Sequence, residues 1–266
     1  MLTADNITFR VGQKALLNNI SVQFAPGKLH LIIGPNGAGK STLIKVLSRL
    51  LRPQSGKIGY GGTDVQHATE AELAKKRAVL SQAIEVAFPL SVREVVMMGR
   101  YPHFGGRPAP LDERIVDEVM SHFDVTEFSE RNYQTLSGGE RQRVNFARVL
   151  AQLWLNGLTA QAGDDSVVRY LFLDEPLTFL DIHHQIDFMK KVRSFAGAAD
   201  VVTVGVVHDL NLAARFADQI VLLNHGRVVA AGTPDEVLTA DRIREVFGVN
   251  PTFVRTEQSG IHLIFD

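Results

Sequence analysis

Lysine, hydroxyl and glycine residues within one short stretch could bind the phosphates of a nucleotide. Lys40 and Ser41 follow a glycine-rich segment at residues 34–39, which comes after an apolar run at residues 29–33. A buried strand, a glycine loop and a helix together direct backbone N–H groups and a helix N-terminus at phosphate oxygens. Lys40 is placed to reach the β- and γ-phosphates and Ser41 to put its hydroxyl on Mg²⁺. The sequence therefore predicts binding of a nucleoside triphosphate.

Two carboxylates end a second apolar run. Asp174 and Glu175 follow residues 167–173, at the end of a predicted parallel strand, where ligands tend to bind. Asp174 is placed to support Mg²⁺, directly or through water, and Glu175 to polarise a water for attack on the γ-phosphate. A helix N-cap is the alternative, since strand–Asp–Glu–Pro also precedes helices. The phosphate loop in the same chain favours the catalytic interpretation.

Two further polar residues end predicted strands. Gln82 follows residues 78–81 and is placed to contact Mg²⁺ or the attacking water, and His208 follows residues 201–207. A glutamine at such a position is by itself more often simply exposed, and a histidine there usually caps or packs. A functional role for Gln82 and His208 is supported only by the other motifs of the chain.

A second helix start carries a hydroxyl and two glycines. Ser137, Gly138 and Gly139 precede a long amphipathic stretch, and they predict a second anion site at its N-terminus. A capping box between Ser137 and Glu140 is the alternative. Capping explains these two residues but not the glycine pair.

Length and composition limit the kind of protein that positions these residues. The chain has 266 residues, 45% of them hydrophobic, which suits one large α/β domain or two lobes sharing a core. The net charge of −1 argues against a surface that coats nucleic acid, and the absence of cysteine excludes disulfides and thiolate metal sites. With neither a signal peptide nor an apolar run of about 20 residues, we expect a cytoplasmic protein that contacts membranes only through a partner.

The chain order predicts a largely parallel sheet with helical crossovers. Apolar strands are expected at residues 29–33, 78–81, 167–173, 201–207 and 220–223. Half-buried strands are expected at residues 2–10 and 19–25, and a helical lobe at about 88–150.

Six motifs in a fixed order resemble those of ATP-binding cassette (ABC) ATPases. They are the Walker A loop, the Q-loop, the signature, Walker B with its glutamate, the D-loop and the switch histidine, at residues 34–42, Gln82, 136–142, 173–176, 180–181 and His208. The resemblance covers nearly the whole chain. It implies an ABC-type P-loop NTPase core, RecA-like and mostly parallel, with an N-terminal antiparallel β-subdomain and an inserted α-helical subdomain. Residues 1–266 would form one nucleotide-binding domain, with the helical subdomain at about 88–150 and the core at about 1–87 and 151–266.

The resemblance also implies a role for each motif residue. Glu175 would be the general base, with His208 on the γ-phosphate and Gln82 as the third catalytic residue. Mg²⁺ would be held by Ser41, Gln82 and Asp174, and Asp181 would communicate between two sites. The ATP-binding residues would be Gly34, Pro35, Asn36, Gly37, Ala38, Gly39, Lys40, Ser41, Thr42, Ser137, Gly138 and Gly139. The family further implies a head-to-tail homodimer in which Lys40 of one subunit faces Ser137 of the other.

Residues 88–103 resemble more closely the ATPases of importers for iron chelates, haem and vitamin B12. In that family this surface receives a membrane permease dimer served by a periplasmic binding protein, so we expect exposed residues around Arg100-Tyr101-Pro102. The long segment at 154–169 and the sequence at 181–185 favour haem, with siderophore or vitamin B12 import as alternatives. A soluble ABC ATPase is a third possibility, although the chain has no second cassette, coiled coil or basic surface. Localisation at the cytoplasmic face of the inner membrane follows from the importer interpretation.

Two local features qualify this resemblance. His183 and His184 are adjacent on a predicted helix and would point about 100° apart, so we expect interface or capping roles and no direct haem binding. Where most relatives carry an aromatic residue for adenine, this chain has Val11. Phe9 is expected in the core, although a stacking role for it stays open.

Overall fold

The computed structural model describes residues 1–81, 88–154, 168–178, 180–256 and 260–265. The strands in these ranges are β1 (Leu2–Val11), β2 (Lys14–Phe24), β3 (Lys28–Ile33), β4 (Ser55–Tyr60), β5 (Thr63–Asp64), β6 (Arg77–Leu80), β7 (Arg169–Leu173), β8 (Val201–Val206), β9 (Gln219–Asn224), β10 (Arg227–Gly232), β11 (Pro251–Thr256) and β12 (Gly260–Phe265). The α-helices are α1 (Lys40–Leu47), α2 (Glu70–Lys76), α3 (Val92–Met97), α4 (Pro110–His122), α5 (Gly138–Leu153), α6 (Ile182–Ala196), α7 (Leu210–Phe216), α8 (Pro234–Val237) and α9 (Ala240–Phe247).

The described strands form a central sheet, an antiparallel sheet and a hairpin. The central sheet has the order β10-β9-β3-β8-β7-β6, parallel from β9 to β6, with β10 antiparallel at one edge. The N-terminal sheet has the order β2-β1-β4-β5 and is antiparallel throughout. Strands β11 and β12 pair as a separate hairpin. The predicted α/β fold, with a mostly parallel sheet and an antiparallel N-terminal sheet, is confirmed.

Side chains of the central strands alternate between two buried layers, as the two-residue period of a strand requires. On β3, Leu29, Leu31 and Ile33 pack with helices including α5 and α6. Ile32 faces the other side, where α1 and the antiparallel sheet close the core. Because both faces are covered, the parallel strands are almost entirely apolar. The carboxyl ends of β3, β7 and β8 lie side by side, which brings three predicted motifs to one edge.

The helical lobe packs on this framework through α3, α4 and α5. Apolar residues of these helices, such as Val95, Val116 and Phe146, are fully buried in the same layer as Leu31. A 3₁₀ segment, Met98–His103, follows α3 and lies against α5. The residue boundaries proposed for the subdomains stay predictions.

Strand β2 begins at Lys14, earlier than the predicted residue 19. Gly12, at φ 57°, makes the turn between β1 and β2. Asn19 has a φ of 56° and the pairing of β1 with β2 shifts register there, so the alternation of apolar residues is interrupted. The strand predicted at residues 19–25 therefore covers only the part of β2 that follows this irregularity.

Candidate functional site

The glycine loop lies between β3 and α1, against the end of β9. Gly34, Gly37 and Gly39 all have positive φ, at 150°, 76° and 103°. A Cβ at Gly34 would lie 2.0 Å from the Leu223 carbonyl oxygen, and one at Gly39 would lie 2.7 Å from the Leu16 carbonyl oxygen. Both positions thus need glycine for space as well as for conformation. The loop begins α1 without a capping side chain, which leaves backbone N–H groups for a ligand.

Lys40 begins α1 and folds back over the loop. Its Nζ donates to the carbonyl oxygens of Gly34 at 2.8 Å and Pro35 at 2.9 Å. Burial lowers the pKa of Lys40, while the nearby Glu175 and Asp174 act in the opposite direction. The two hydrogen bonds hold the Lys40 ammonium group at the loop, near the carboxylates of Asp174 and Glu175.

A cavity of about 230 Å³ adjoins the loop. Its walls come from the loop, from α1, from Glu175 and from Lys14 and Leu16 of β2. Sequence reasoning missed the two β2 residues because it started that strand too late. The earlier start of β2 carries Lys14 and Leu16 to the mouth of the loop.

Val11 and Phe9 differ sharply in exposure. Phe9 is 8% exposed and packs in the core, which confirms its predicted core position, whereas Val11 is 59% exposed. Val11 pairs with Lys14, a wall residue of the loop cavity. Whether Val11 contacts adenine stays a prediction.

Asp174 follows β7 and is 7% exposed. Its backbone N–H donates to the Leu80 carbonyl oxygen at 2.9 Å, which joins it to the end of β6. Burial raises the pKa of Asp174, and a hydrogen bond with the Ser41 hydroxyl acts to lower it. Its Oδ1 has no hydrogen-bond partner among the described residues. A buried, unsatisfied carboxylate oxygen beside a serine hydroxyl suits a hard cation, which prefers oxygen ligands.

Glu175 contacts His208 directly. The Glu175 Oε1 and His208 Nε2 atoms are 2.9 Å apart. Glu175 has a φ of 52°, a region that non-glycine residues seldom occupy and that is enriched at functional sites. The carboxylate borders both the loop cavity and a second cavity of about 240 Å³, which His208 also lines. The N-cap alternative for this motif is wrong, since the next described helix, α6, takes Asp181 as its cap.

Ser137 caps α5. The Glu140 N–H donates to Ser137 Oγ at 3.3 Å, and the Ser137 N–H donates to Glu140 Oε2 at 2.7 Å. The capping-box interpretation is therefore confirmed. Ser137 and Gly138 are also exposed and do not line the loop cavity of the same chain. A second anion site at this helix start stays a prediction.

The signature helix is joined to the Asp174–Glu175 segment. Gln142 of α5 is buried, and its Nε2 donates to the Pro176 carbonyl oxygen at 2.6 Å. A Cβ at Gly139 would meet the Leu180 side chain at 3.7 Å, an ordinary contact. The glycine at 139 is therefore not required by packing within this chain, unlike those at 34 and 39.

Asp181 caps α6 and holds one of the two adjacent histidines. It accepts hydrogen bonds from the His184 backbone N–H at 2.9 Å and pairs with His184 Nδ1 at 2.8 Å. These bonds lower the pKa of Asp181. The His183 and His184 rings stand nearly perpendicular, with centroids 5.5 Å apart. The cap of α6 is therefore Asp181, and His184 is its hydrogen-bond partner. An interface role for the two histidines stays a prediction.

The predicted docking segment is only partly exposed. Phe88, Met98 and Tyr101 are 71%, 47% and 73% exposed, but Arg100 is only 3% exposed. Arg100 pairs with Asp112 at 2.9 Å and donates to the Ala151 carbonyl oxygen at 2.8 Å. The expected exposed surface around Arg100-Tyr101-Pro102 is therefore present at Tyr101, whereas Arg100 itself is buried. Its guanidinium holds the 3₁₀ segment against the end of α5.

Two of the sequence-based predictions fall wholly or mostly on residues outside the described ranges. Gln82 falls in the gap at residues 82–87, and most of the long segment at 154–169 falls in the gap at residues 155–167.

Comparison with known proteins identifies the family. Residues 17–153 match the family model for ABC transporters. The chain belongs to the ABC transporter family. It is 44% identical to the hemin import ATP-binding protein HmuV of Gloeobacter violaceus, over 99% of this chain and 93% of that protein. It is 43% identical to the hemin import ATP-binding protein HmuV of Rhizobium meliloti, over 93% of this chain and 91% of that protein.

Solved structures agree on the fold. A metal-chelate type ABC transporter in an inward-facing conformation matches with a TM-score of 0.81 and 23% identity, over all of this chain and 96% of that one. The dimeric ATP-binding cassette MJ0796 bound to ADP and Pi matches with a TM-score of 0.72 and 24% identity, over 88% of this chain and 99% of that one. At these identities the likeness concerns the fold alone. Within the described ranges no helix is both long and apolar enough to cross a membrane.

Proposed function

We propose that the chain is the ATP-hydrolysing subunit of an ABC importer that takes up haem across the bacterial inner membrane. The observation that carries this proposal is the identity of 44% and 43%, over more than nine-tenths of the chain, to proteins named for hemin import. The subunit would sit at the cytoplasmic face of that membrane and attach through a permease.

The loop would receive the triphosphate of ATP. Its glycines supply backbone N–H groups, and Lys40 needs only to turn from the Gly34 and Pro35 carbonyl oxygens to reach phosphate oxygens. The remaining loop residues in contact with ATP would be Asn36, Gly37, Ala38, Gly39, Ser41 and Thr42. Charge and position, rather than covalent chemistry, then favour phosphoryl transfer.

The donor set at Asp174 fits Mg²⁺. The orphaned Oδ1 of Asp174 and the Ser41 hydroxyl are oxygen ligands of the kind that Mg²⁺ takes, and Gln82 would add a third. When bound, Mg²⁺ neutralises the charge that develops on the β- and γ-phosphates.

Glu175 would act as the general base, and His208 would orient the Glu175 carboxylate. The 2.9 Å contact orients the carboxylate, and the position of Glu175 at the border of the loop cavity lets it meet a water beside the γ-phosphate. The His208 imidazole is about half exposed, so it would also be accessible to the γ-phosphate.

Two copies of the chain would form head-to-tail ATP sites. Ser137, Gly138 and Gly139 lie at an exposed helix start away from their own loop cavity, which supports a role against ATP held by the partner copy. Asp181, beside the same interface, would communicate between the sites.

The permease dimer would bind near Phe88–His103, a surface on which Phe88, Met98 and Tyr101 expose apolar and aromatic area. A periplasmic binding protein would deliver haem to the permease, so this chain would contact neither haem nor nucleic acid. Siderophore and vitamin B12 import are the alternatives, because the subunit itself does not select the substrate.

One experiment tests the assignment. The tagged chain is purified from detergent-solubilised membranes of its host, and the permease that accompanies it is reconstituted in liposomes with its binding protein. We expect haem-loaded binding protein to raise ATP hydrolysis, with no response to a ferric siderophore or vitamin B12. A response to either of those alone would reassign the substrate. Absence of any membrane partner would favour a soluble ABC ATPase.

A further inference from the structure

One side chain joins the helix after His208 to the C-terminal hairpin. Asn211 Nδ2 donates to the Leu263 carbonyl oxygen at 3.0 Å, and the Leu263 N–H donates to Asn211 Oδ1 at 2.7 Å. The amide thereby offers β12 the same donor and acceptor that a neighbouring strand would offer. A residue of α7 thus completes one edge of the hairpin.

The same helix fixes the backbone at His208. Asp209 caps α7 by accepting hydrogen bonds from the N–H groups of Asn211 at 2.7 Å and Leu212 at 2.9 Å. On the other side of His208, the Val207 N–H donates to the Ile32 carbonyl oxygen at 3.3 Å. His208 therefore lies between the central sheet and a helix that the hairpin holds.

Neither α7 nor the hairpin is long enough to be stable alone. Helix α7 has 7 residues, well below the length at which isolated helices persist, and a two-stranded hairpin is marginal in water. Their apolar residues share one core, in which Leu210, Phe216 and Leu263 are buried. The Asn211 amide adds the directional bonds that set how the two elements lie relative to each other.

We propose that Asn211 is a positioning residue, through which the C-terminal hairpin holds His208 against Glu175. The His208 side chain is 49% exposed, so packing restrains its ring little and its position follows from its backbone. A small displacement of α7 would lengthen the 2.9 Å contact with Glu175. The inference rests on the role proposed above for His208 in hydrolysis.

Two substitutions and a control isolate this bond. Asn211→Ala removes both hydrogen bonds, and Asn211→Asp keeps the size of the side chain but sets a carboxylate against the Leu263 carbonyl oxygen. Arg215→Ala is the control on the same helix, because the exposed Arg215 side chain lies over the Phe216 ring, at 5.3 Å, rather than on the hairpin.

The kinetic test uses the full chain and ATP. We expect kcat to fall about fivefold or more in both Asn211 variants, with a change in KM of less than about twofold, while Arg215→Ala keeps wild-type values. In a His208→Gln background, Asn211→Ala should reduce kcat by less than about twofold more, because the residue it positions is already gone. An equal loss in both backgrounds would mean a general structural role and would overturn the proposal.

A spectroscopic test does not depend on activity. With nitrogen-labelled histidine, the His208 ring resonance is the one that His208→Gln abolishes. It should shift in both Asn211 variants and stay in place in Arg215→Ala. An unmoved resonance in Asn211→Asp and Asn211→Ala refutes the link. If His208→Gln retains full turnover, the proposed role of His208 fails instead, and the resonance still reports whether Asn211 positions it.

Discussion

The Glu175 carboxylate lies 2.9 Å from the His208 imidazole, although 33 positions, the difference between their numbers, separate the two residues along the chain. The parallel pairing of β7 with β8 creates this contact. Glu175 lies two residues after the end of β7, and His208 lies two residues after the end of β8. The pair joins a candidate base to a group that can orient it.

Replacing the carboxylate tests the candidate base. Glu175→Gln should retain ATP binding and lose nearly all turnover, because the amide keeps the shape but cannot take a proton from water. A closed, ATP-loaded dimer should accumulate and be detected by size-exclusion chromatography. Near-normal steady-state hydrolysis would exclude Glu175 as the principal base.

The composite site is tested at Ser137. Ser137→Arg should abolish hydrolysis, since a bulky cation would replace a small donor opposite the partner's γ-phosphate. Ser137→Ala is the matched control, because both variants lose the cap of α5, at about 1 kcal/mol. Equal melting temperatures with a much lower kcat in the arginine variant would support the shared site. Equal turnover in the two variants would argue against it.

Arg100 and Tyr101 are adjacent but should behave oppositely. Arg100→Ala leaves Asp112 buried without its partner and should cost about 3–5 kcal/mol of unfolding free energy, measured by urea denaturation. Tyr101→Ala should leave stability near wild type and weaken assembly with the permease or its coupling to hydrolysis. Unchanged assembly and transport in the Tyr101 variant would remove the proposed docking surface.

Val11 offers a test of adenine binding. Val11→Tyr would add an aromatic ring at an exposed position next to the loop cavity and should tighten ATP binding by the equivalent of about 1–3 kcal/mol. The dissociation constant for inorganic triphosphate should not change. If the two constants shift equally, or neither moves, Val11 does not lie beneath the base.

His30 should make stability depend on pH. The ring is 2% exposed and bonds the Ala25 carbonyl oxygen at 2.9 Å, and burial lowers its pKa from the ordinary value of 6.5. Below that value the unfolded chain binds a proton that the folded chain resists, so unfolding free energy should fall as pH drops from 6.5.

The matched variant for this effect is His30→Gln, which can still donate to Ala25 but does not titrate. Urea midpoints at pH 7.5 and 5.5 should differ more in wild type than in the variant, by up to about 1.4 kcal/mol for each unit of pKa shift. Equal differences would show that other groups produce the pH dependence.

Strand ends were the most predictable part of the site. Apolar runs fix where β3, β7 and β8 lie, and the parallel arrangement then brings Lys40, Asp174 and His208 together.

Contacts made by long polar side chains were not predictable. The burial of Arg100 was not predictable, because it depends on Asp112 and on the carbonyl groups at the end of α5, neither of which leaves a periodic signal. Asn211 was missed for the same reason, since its partner is the backbone of a strand 52 positions later.

The hydrogen bond from Gln142 to Pro176 has a consequence for the proposed dimer. Within one chain, Gln142 belongs to the helix whose first residues would serve the partner's ATP, whereas Pro176 follows the carboxylates that would serve the chain's own ATP. In such a dimer the 2.6 Å bond would connect the two nucleotide sites. A movement of Pro176 on binding one ATP would then be transmitted through α5 to the other site, so the two ATP molecules would bind cooperatively.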